Sequence, residues 1–407
     1  MSPLASRLPL SREAALLLSM AGTASGDAGW GAPLARPMAW ERLVRLAQRE
    51  RAAPALWRRL QALGCPGVPA AEGERLRQLA QVGEFQARQL ERRLHAALAA
   101  LHAADVDVML LKGAAVAHAV YPTFADRPMA DVDLLVQPEQ AAHAHAVLQA
   151  AGWTLGPRAA ALGAAYDAHH HLPPLRDAVS GAGLDLHTEL FAPGHPFALS
   201  AADIWRRGIP ISVGGQPARL PAAQDLLLHA CLHFAWSHEL RHGAWRAFHD
   251  VARLLEAGQV DARRYADLAS ESRGATSCYW TLRLAATVGA VAVPPGVLRA
   301  LRPRLPEPVL GRLERHFALG LLPAEGGCPS VRVTRMLWRA GMRPAASGHG
   351  GARPWQLGQR TPPASTAGGA ASSPRRGSKA ASHWQRAAEW RSYGWAMVRP
   401  AAWGRGR

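Results

Sequence analysis

The order of hydrophobic periods along the chain predicts an α+β protein, a core of mixed strands and helices flanked by N- and C-terminal helical regions and ending in a disordered tail. Three observations carry this. Apolar residues recur at three- and four-residue spacing through residues 10–100 and again from 222 to about 320. The segment between them alternates short runs of large apolar and β-branched residues with helical stretches. Beyond about residue 343 periodicity stops, and Gly, Pro and Ser crowd the chain. The division expected is a helical region over 1–100, the core over 101–220, a helical domain over 221–325 and a basic tail over 326–407.

The elements follow in order. "REAALLLSMAGTASG" is too short an apolar run for a leader and is interrupted by Glu13, so it is read as a surface helix. "AWERLVRLAQRERAAPALWRRLQAL" and "ERLRQLAQVGEFQARQLERRLHAALAALHAA" are amphipathic helices on either side of a break at residues 65–71. "DVDVMLL" is a strand, and "GAAVAHAVY" a helix stopped by Pro122. "MADVDLLV" is a second strand. "PEQAAHAHAVLQAAG" is a helix entered after Pro138 and left at Gly152. "HHHLPPLRDAVSGAGLDLHTELF" reads as two strands, roughly 169–176 and 184–191, around an Asp-, Ser- and Gly-rich turn.

Composition excludes several classes. A chain of 407 residues that is 49% hydrophobic has enough apolar surface for sizeable cores. Cys65, Cys231, Cys278 and Cys328 lack CxxC spacing, which argues against a disulfide framework or a zinc ribbon and fits a reducing cytoplasm. No membrane-length apolar run is present. The net charge of +17 is concentrated at the end, where residues 331–407 hold fourteen Arg or Lys against Glu389 alone. The basicity therefore says little about what the folded body binds. The last segment interleaves Trp with Arg, a pattern suited to weak contact with nucleic acid or an anionic surface.

The chemistry starts at "RPMADVDLLV". Side chains alternate along a strand, so Asp131 and Asp133 share one face while Val132 and Leu134 take the other. Two like charges on one face repel, and a divalent cation with a taste for oxygen ligands relieves them. "GLDLHTEL" sets Asp185, His187 and Glu189 on one face of a later strand. Asp185 is the first candidate for a third ligand, Glu189 the replacement, and His187 a neighbouring ligand or orienting group. "LLKGAAVAHAVY" has the form of an anion cradle: a strand, then Lys112 and Gly113, then the N-terminus of a helix. Lys112 and Lys379 are the only lysines among 47 basic residues, so the body uses Lys at one place, where a compact ammonium suits a phosphate. Arg127 is placed to reach the same phosphates.

With these motifs in order, from about residue 38 to 320, the chain resembles the uncharacterised bacterial nucleotidyltransferase family within the DNA polymerase β-like superfamily. The resemblance implies a polymerase β-like core, with Asp131, Asp133 and Asp185 as metal-binding catalytic carboxylates and Gly113 opening the nucleotide-binding helix. It implies two Mg²⁺ ions, an NTP (ATP by default) and a hydroxyl acceptor that receives NMP as pyrophosphate leaves. One departure is Ala114, where the superfamily usually has Ser after the Gly; Lys112 is the expected substitute for that hydroxyl. Two other readings compete. "HELRH" at 238–242 matches the helical HExxH zinc-peptidase site, although Gly243 follows at once. The third reading is a non-catalytic nucleotide-fold scaffold.

Overall fold

A computed structural model describes residues 10–22, 34, 37–156, 169–322 and 331–342. The expected disorder after about 343, and the Trp- and Arg-rich end, lie outside the described residues.

The N-terminal region contains α1 (Arg12–Ser19), α2 (Trp40–Glu50), α3 (Ala53–Ala62) and the long α4 (Ala70–Ala103). Ser11 caps α1 by accepting from the Ala14 amide at 3.2 Å. This helix is not the surface helix expected. Glu13 and every residue from Ala14 to Leu18 are buried, and Glu13 accepts from the Ala39 amide at 3.1 Å, which removes the cost of its burial as an unpaired acid. In α4 the buried residues Leu76, Ala80, Ala87, Leu90, Leu94, Leu98 and Leu101 form one stripe at helical spacing, and the helix lies along the sheet.

The sheet has seven strands: β1 (Met109–Leu111), β2 (Asp131–Leu135), β3 (Trp153–Leu155), β4 (Leu175–Asp177), β5 (Gly183–His187), β6 (Ile209–Val213) and β7 (Gln216–Leu220). Their order is β3-β4-β5-β2-β1-β7-β6. The sheet is mixed, because β2 pairs in parallel with β5 and β1 with β7 while the remaining neighbours are antiparallel. Helix α5 (Lys112–Val120) leaves β1 without a loop, and α6 (Ala141–Ala150) follows β2.

The predicted hairpin around the Asp-Ser-Gly turn forms as β4 and β5, with Leu175 opposite Leu184. Asp177 closes the turn by accepting from the Ser180 amide and hydroxyl at 2.8 and 2.6 Å. The first strand is shorter than expected. Pro173 and Pro174 cannot donate to a ladder, so upstream of them only an isolated bridge between His171 and His187 survives. Strands β3, β6 and β7 were absent from the sequence reading. Pro210 and Pro217 argue against the last two, yet β6 is an edge strand and β7 meets β1 only at Arg219, so neither proline removes a needed donor. Gly214 and Gly215 turn this hairpin with φ of +58° and +80°, and a side chain on Gly214 would collide with His95 of α4.

The C-terminal region comprises α7 (Ala201–Arg207), which precedes β6, then α8 (Ala223–Leu232), α9 (Ala244–Glu256), α10 (Ala262–Glu271), α11 (Ala275–Thr287), α12 (Pro295–Leu301), α13 (Glu307–Leu321) and α14 (Val331–Gly341). The sequence reading placed no helix as late as α14, which packs through buried Trp338, whose indole donates to the Ala235 carbonyl at 2.8 Å. Helices α8 and α9 pack on α5, so the helical region faces the end of the sheet where α5 starts. One continuous apolar core runs from Leu10 to Met342 through sheet and helices. Among the described residues no helix is long and apolar enough to cross a membrane.

Candidate active site

In parallel register Asp133 of β2 stands beside Asp185 of β5, and Asp131 beside Gly183. Paired residues on neighbouring strands point to the same face about 4.8 Å apart, so the Asp133 and Asp185 side chains are adjacent, with Asp131 two residues along β2. Val132, Leu134, Leu184 and Leu186 are buried. The alternation read from sequence is thus realised, and the strand pairing adds what alternation does not contain: which carboxylates are neighbours.

Asp133 is almost fully buried, and its Oδ1 accepts from Lys112 Nζ at 2.5 Å and from His187 Nε2 at 2.8 Å. Burial pushes this carboxyl up, but the Lys112 charge and the His187 hydrogen bond together outweigh it and hold it well below the ordinary carboxylate range. Asp131 and Asp185 go the other way. Burial raises both, and the neighbouring carboxylates raise them further: Asp133 and Asp185 act on Asp131, and Asp133 acts on Asp185. One carboxylate is neutralised by the protein and two are not, which leaves the cluster short of positive charge.

Lys112 begins α5 with φ of +45°, a left-handed conformation unusual for a residue with a side chain. Its ammonium is directed at Asp133, which makes it the carboxylate's partner at the mouth of the expected cradle. Gly113 also has a close neighbour on the face where a side chain would stand. A Cβ there would lie 2.3 Å from an Arg127 guanidinium nitrogen, so the missing side chain leaves room for Arg127. Arg127 in turn is clamped by Asp250 of α9 at 2.7 and 3.2 Å, and Tyr121 donates to the same carboxylate at 2.9 Å. Glu189 lies outside the cluster: its carboxylate accepts from the Ala201 amide at the start of α7, at 3.1 Å.

These groups line a cleft of about 340 Å³ whose sheet wall holds Lys112, Gly113, Arg127, Asp131, Asp133 and Asp185. Its helical wall comes from α8, the following turn and α9, with His229, His233, His238 and Arg246. Larger cavities occur elsewhere, one of about 610 Å³ among the last helices, but the carboxylates converge only on this cleft among the cavities described. Burial foremost lowers the helical-wall histidines, His229 to about 3 and His238 to about 4, so they are neutral at pH 7. Arg246 makes no hydrogen bond or ion pair among the described residues, and burial, then Arg127, lowers its affinity for its proton. It lines the cleft, and the opposite charges nearest to it, Glu50 and Asp250, act on it without a hydrogen bond. Sequence reasoning missed Arg246 and Asp250, which no local motif marks.

HELRH does not form a zinc helix. Residues His233–Ser237 are a π-turn, and Glu239 and Leu240 then take φ of +51° and +55°, which ends helical geometry between the two histidines. Leu240 is buried, Glu239 pairs with Arg335 at 3.3 Å, and His238 contacts His233 at 3.0 Å. The i, i+4 relation that a zinc helix requires is absent.

A mixed sheet thus brings carboxylates from two parallel strands to the N-terminus of a helix, in a cleft that also holds Arg246. The chain belongs to the family described as uncharacterised nucleotidyltransferase, whose pattern matches residues 36–289. No curated protein matches the chain.

Proposed function

We propose that the protein transfers NMP from an NTP, ATP by default, to a hydroxyl acceptor, using Asp131, Asp133 and Asp185 of a polymerase β-like core. The observation that carries this reading is the in-phase pairing of Asp133 with Asp185, with Asp131 beside them, in a cleft that also holds Arg246. The donor set suits Mg²⁺: hard carboxylate oxygens on one face, two of them without a neutralising partner. Asp131, Asp133 and Asp185 would hold the metal, as two ions, and the bound metal supplies Lewis-acid polarisation and a more acidic acceptor hydroxyl.

The chain's own residues do the rest. His187 and Lys112 fix the Asp133 carboxylate in one orientation. Asp185 takes the proton of the acceptor hydroxyl, whose oxygen forms a bond to the α-phosphorus while the bond from that phosphorus to the bridging oxygen breaks. Arg246, on the helical wall, and the first amides of α5 bind the negative charge that develops on pyrophosphate. Arg127, locked to Asp250, holds the helical wall against the sheet wall and adds positive potential. A cytoplasmic location fits an NTP substrate.

Titration calorimetry with each NTP tests this reading. The expected result is saturable binding in Mg²⁺ that disappears with EDTA and in Asp185→Asn. Binding unaffected by both changes contradicts it.

A further inference from the structure

Next to the carboxylates, and not used by the reading above, stands a group of imidazoles. His169, His170 and His171 each offer a ring nitrogen, and these three atoms lie within 4.8 Å of one another. The three ring centroids are 4.2 to 4.7 Å apart. His187 adjoins them, 5.3 Å from His170 and 5.4 Å from His171 between ring centroids.

The hydrogen bonds around these rings decide which nitrogens carry lone pairs. His171 Nδ1 donates to the Leu172 carbonyl at 2.7 Å, leaving Nε2 as the basic nitrogen. His187 Nε2 donates to Asp133 Oδ1, so its Nδ1 is the basic one, and that atom is buried without a hydrogen-bond partner. His170 Nδ1 is likewise buried and unpartnered. Buried polar atoms of this kind normally have partners. An imidazole whose second nitrogen is held by a carbonyl or carboxylate is the usual state of a metal-bound histidine. The chain fixes this geometry locally, since Pro173 and Pro174 end the strand and the His171–His187 bridge pins the segment against β5.

We propose that His169, His170 and His171 bind one divalent cation of the zinc class, with the buried Nδ1 of His187 as fourth donor. Neutral nitrogen donors favour zinc, cobalt or nickel over magnesium, so this ion differs in kind from the one suited to the three aspartates. Tetrahedral Zn–N bonds of 2.0 to 2.1 Å place ligand nitrogens about 3.4 Å apart, so three nitrogens already within 4.8 Å of one another would draw in further on binding. Through His187 the ion is linked to Asp133, in the carboxylate–histidine–metal order common in zinc proteins. The proposal does not depend on nucleotidyl transfer, because its evidence and its test concern metal binding alone.

The full chain, with any affinity tag removed, is stripped with chelator, dialysed against Zn²⁺ and then against buffer, and analysed for metal. Parallel samples are titrated with Co²⁺ and followed by visible absorption. The expected result is one equivalent of retained Zn²⁺ and the intense bands of four-coordinate Co²⁺. Affinity should fall at least tenfold in His170→Asn and in His169→Ala, each checked by circular dichroism for an intact fold, and should persist in Asp185→Asn. Zinc below stoichiometric amounts, or only the weak absorption of six-coordinate Co²⁺, overturns the proposal. Equally fatal is retention unchanged in both histidine variants. Loss in Asp185→Asn assigns the ion to the aspartates and overturns it too.

Discussion

The two walls of the cleft differ in how they are built. The sheet wall is regular: alternation puts Asp131 and Asp133 on one face, and strand pairing brings Asp185 into phase with Asp133. The helical wall is irregular. A π-turn at His233–Ser237 and two left-handed residues aim histidines at the cleft, and Arg246 arrives from the first turn of the next helix. The sheet wall carries the negative charge and the helical wall a positive one, joined by the Arg127–Asp250 pair. Chemistry that needs fixed carboxylates and a bound polyanion can therefore draw each from a different kind of structure.

This comparison can be broken from either side. The largest effect is expected on the sheet wall, where Asp185→Asn should reduce NMP transfer by about 10³-fold or more, because a carboxylate that holds metal and takes a proton acts in the transition state. Asp185 is the better target than Asp133. Removing the charge of Asp133 strands Lys112 beside a buried amide, so loss of activity there would be mixed with loss of stability. A turnover within tenfold of the parent in Asp185→Asn refutes its role.

Next is the joint between the walls. Asp250→Ala leaves buried Arg127 without its partner and should cost about 3 kcal/mol of stability, at the lower end for breaking a buried pair. Denaturant unfolding reads this directly, and a loss below about 1 kcal/mol means the walls are held together by packing instead. On the helical wall itself, Arg246→Ala should raise the KM for NTP and lower kcat/KM by about 10- to 100-fold, with part restored in Arg246→Lys. Unchanged kinetics remove Arg246 from the phosphate site. The smallest effect belongs to Glu239→Gln. A peptidase built on HELRH loses its base in this variant; nucleotidyl transfer should change less than twofold, and a large loss of transfer would return Glu239 to the chemistry.

The sheet wall was also the legible one. Asp131 and Asp133 could be read because a strand period of two is strict, and Asp185 because a turn and a second alternating run announce its strand. The parallel register of β2 with β5 was not readable, since no local residue encodes which strand lies alongside. Glu189 shares the parity of Asp185 but falls past the end of β5, where the backbone bends and its carboxylate caps α7. The closeness of Arg127 to the bare Cα of Gly113 was not readable, since the two are brought together only by the fold. Arg246 and Asp250 lie more than a hundred residues from Asp131 and look like any polar helix positions. HELRH stays a formal match because i, i+4 histidines imply a helix only if the backbone stays helical, and Gly243 was the local sign that it does not.

In the proposed reaction the α-phosphoryl group of an NTP moves to an acceptor at these aspartates. The most direct measurement incubates the protein with cell extract and ATP labelled at either the α- or the γ-phosphate, in Mg²⁺, and repeats it with Asp185→Asn. The expected result is stable transfer of α-label, none of γ-label, and neither in the variant. Transfer of γ-label without α-label, or α-label transfer that persists in Asp185→Asn, would contradict it.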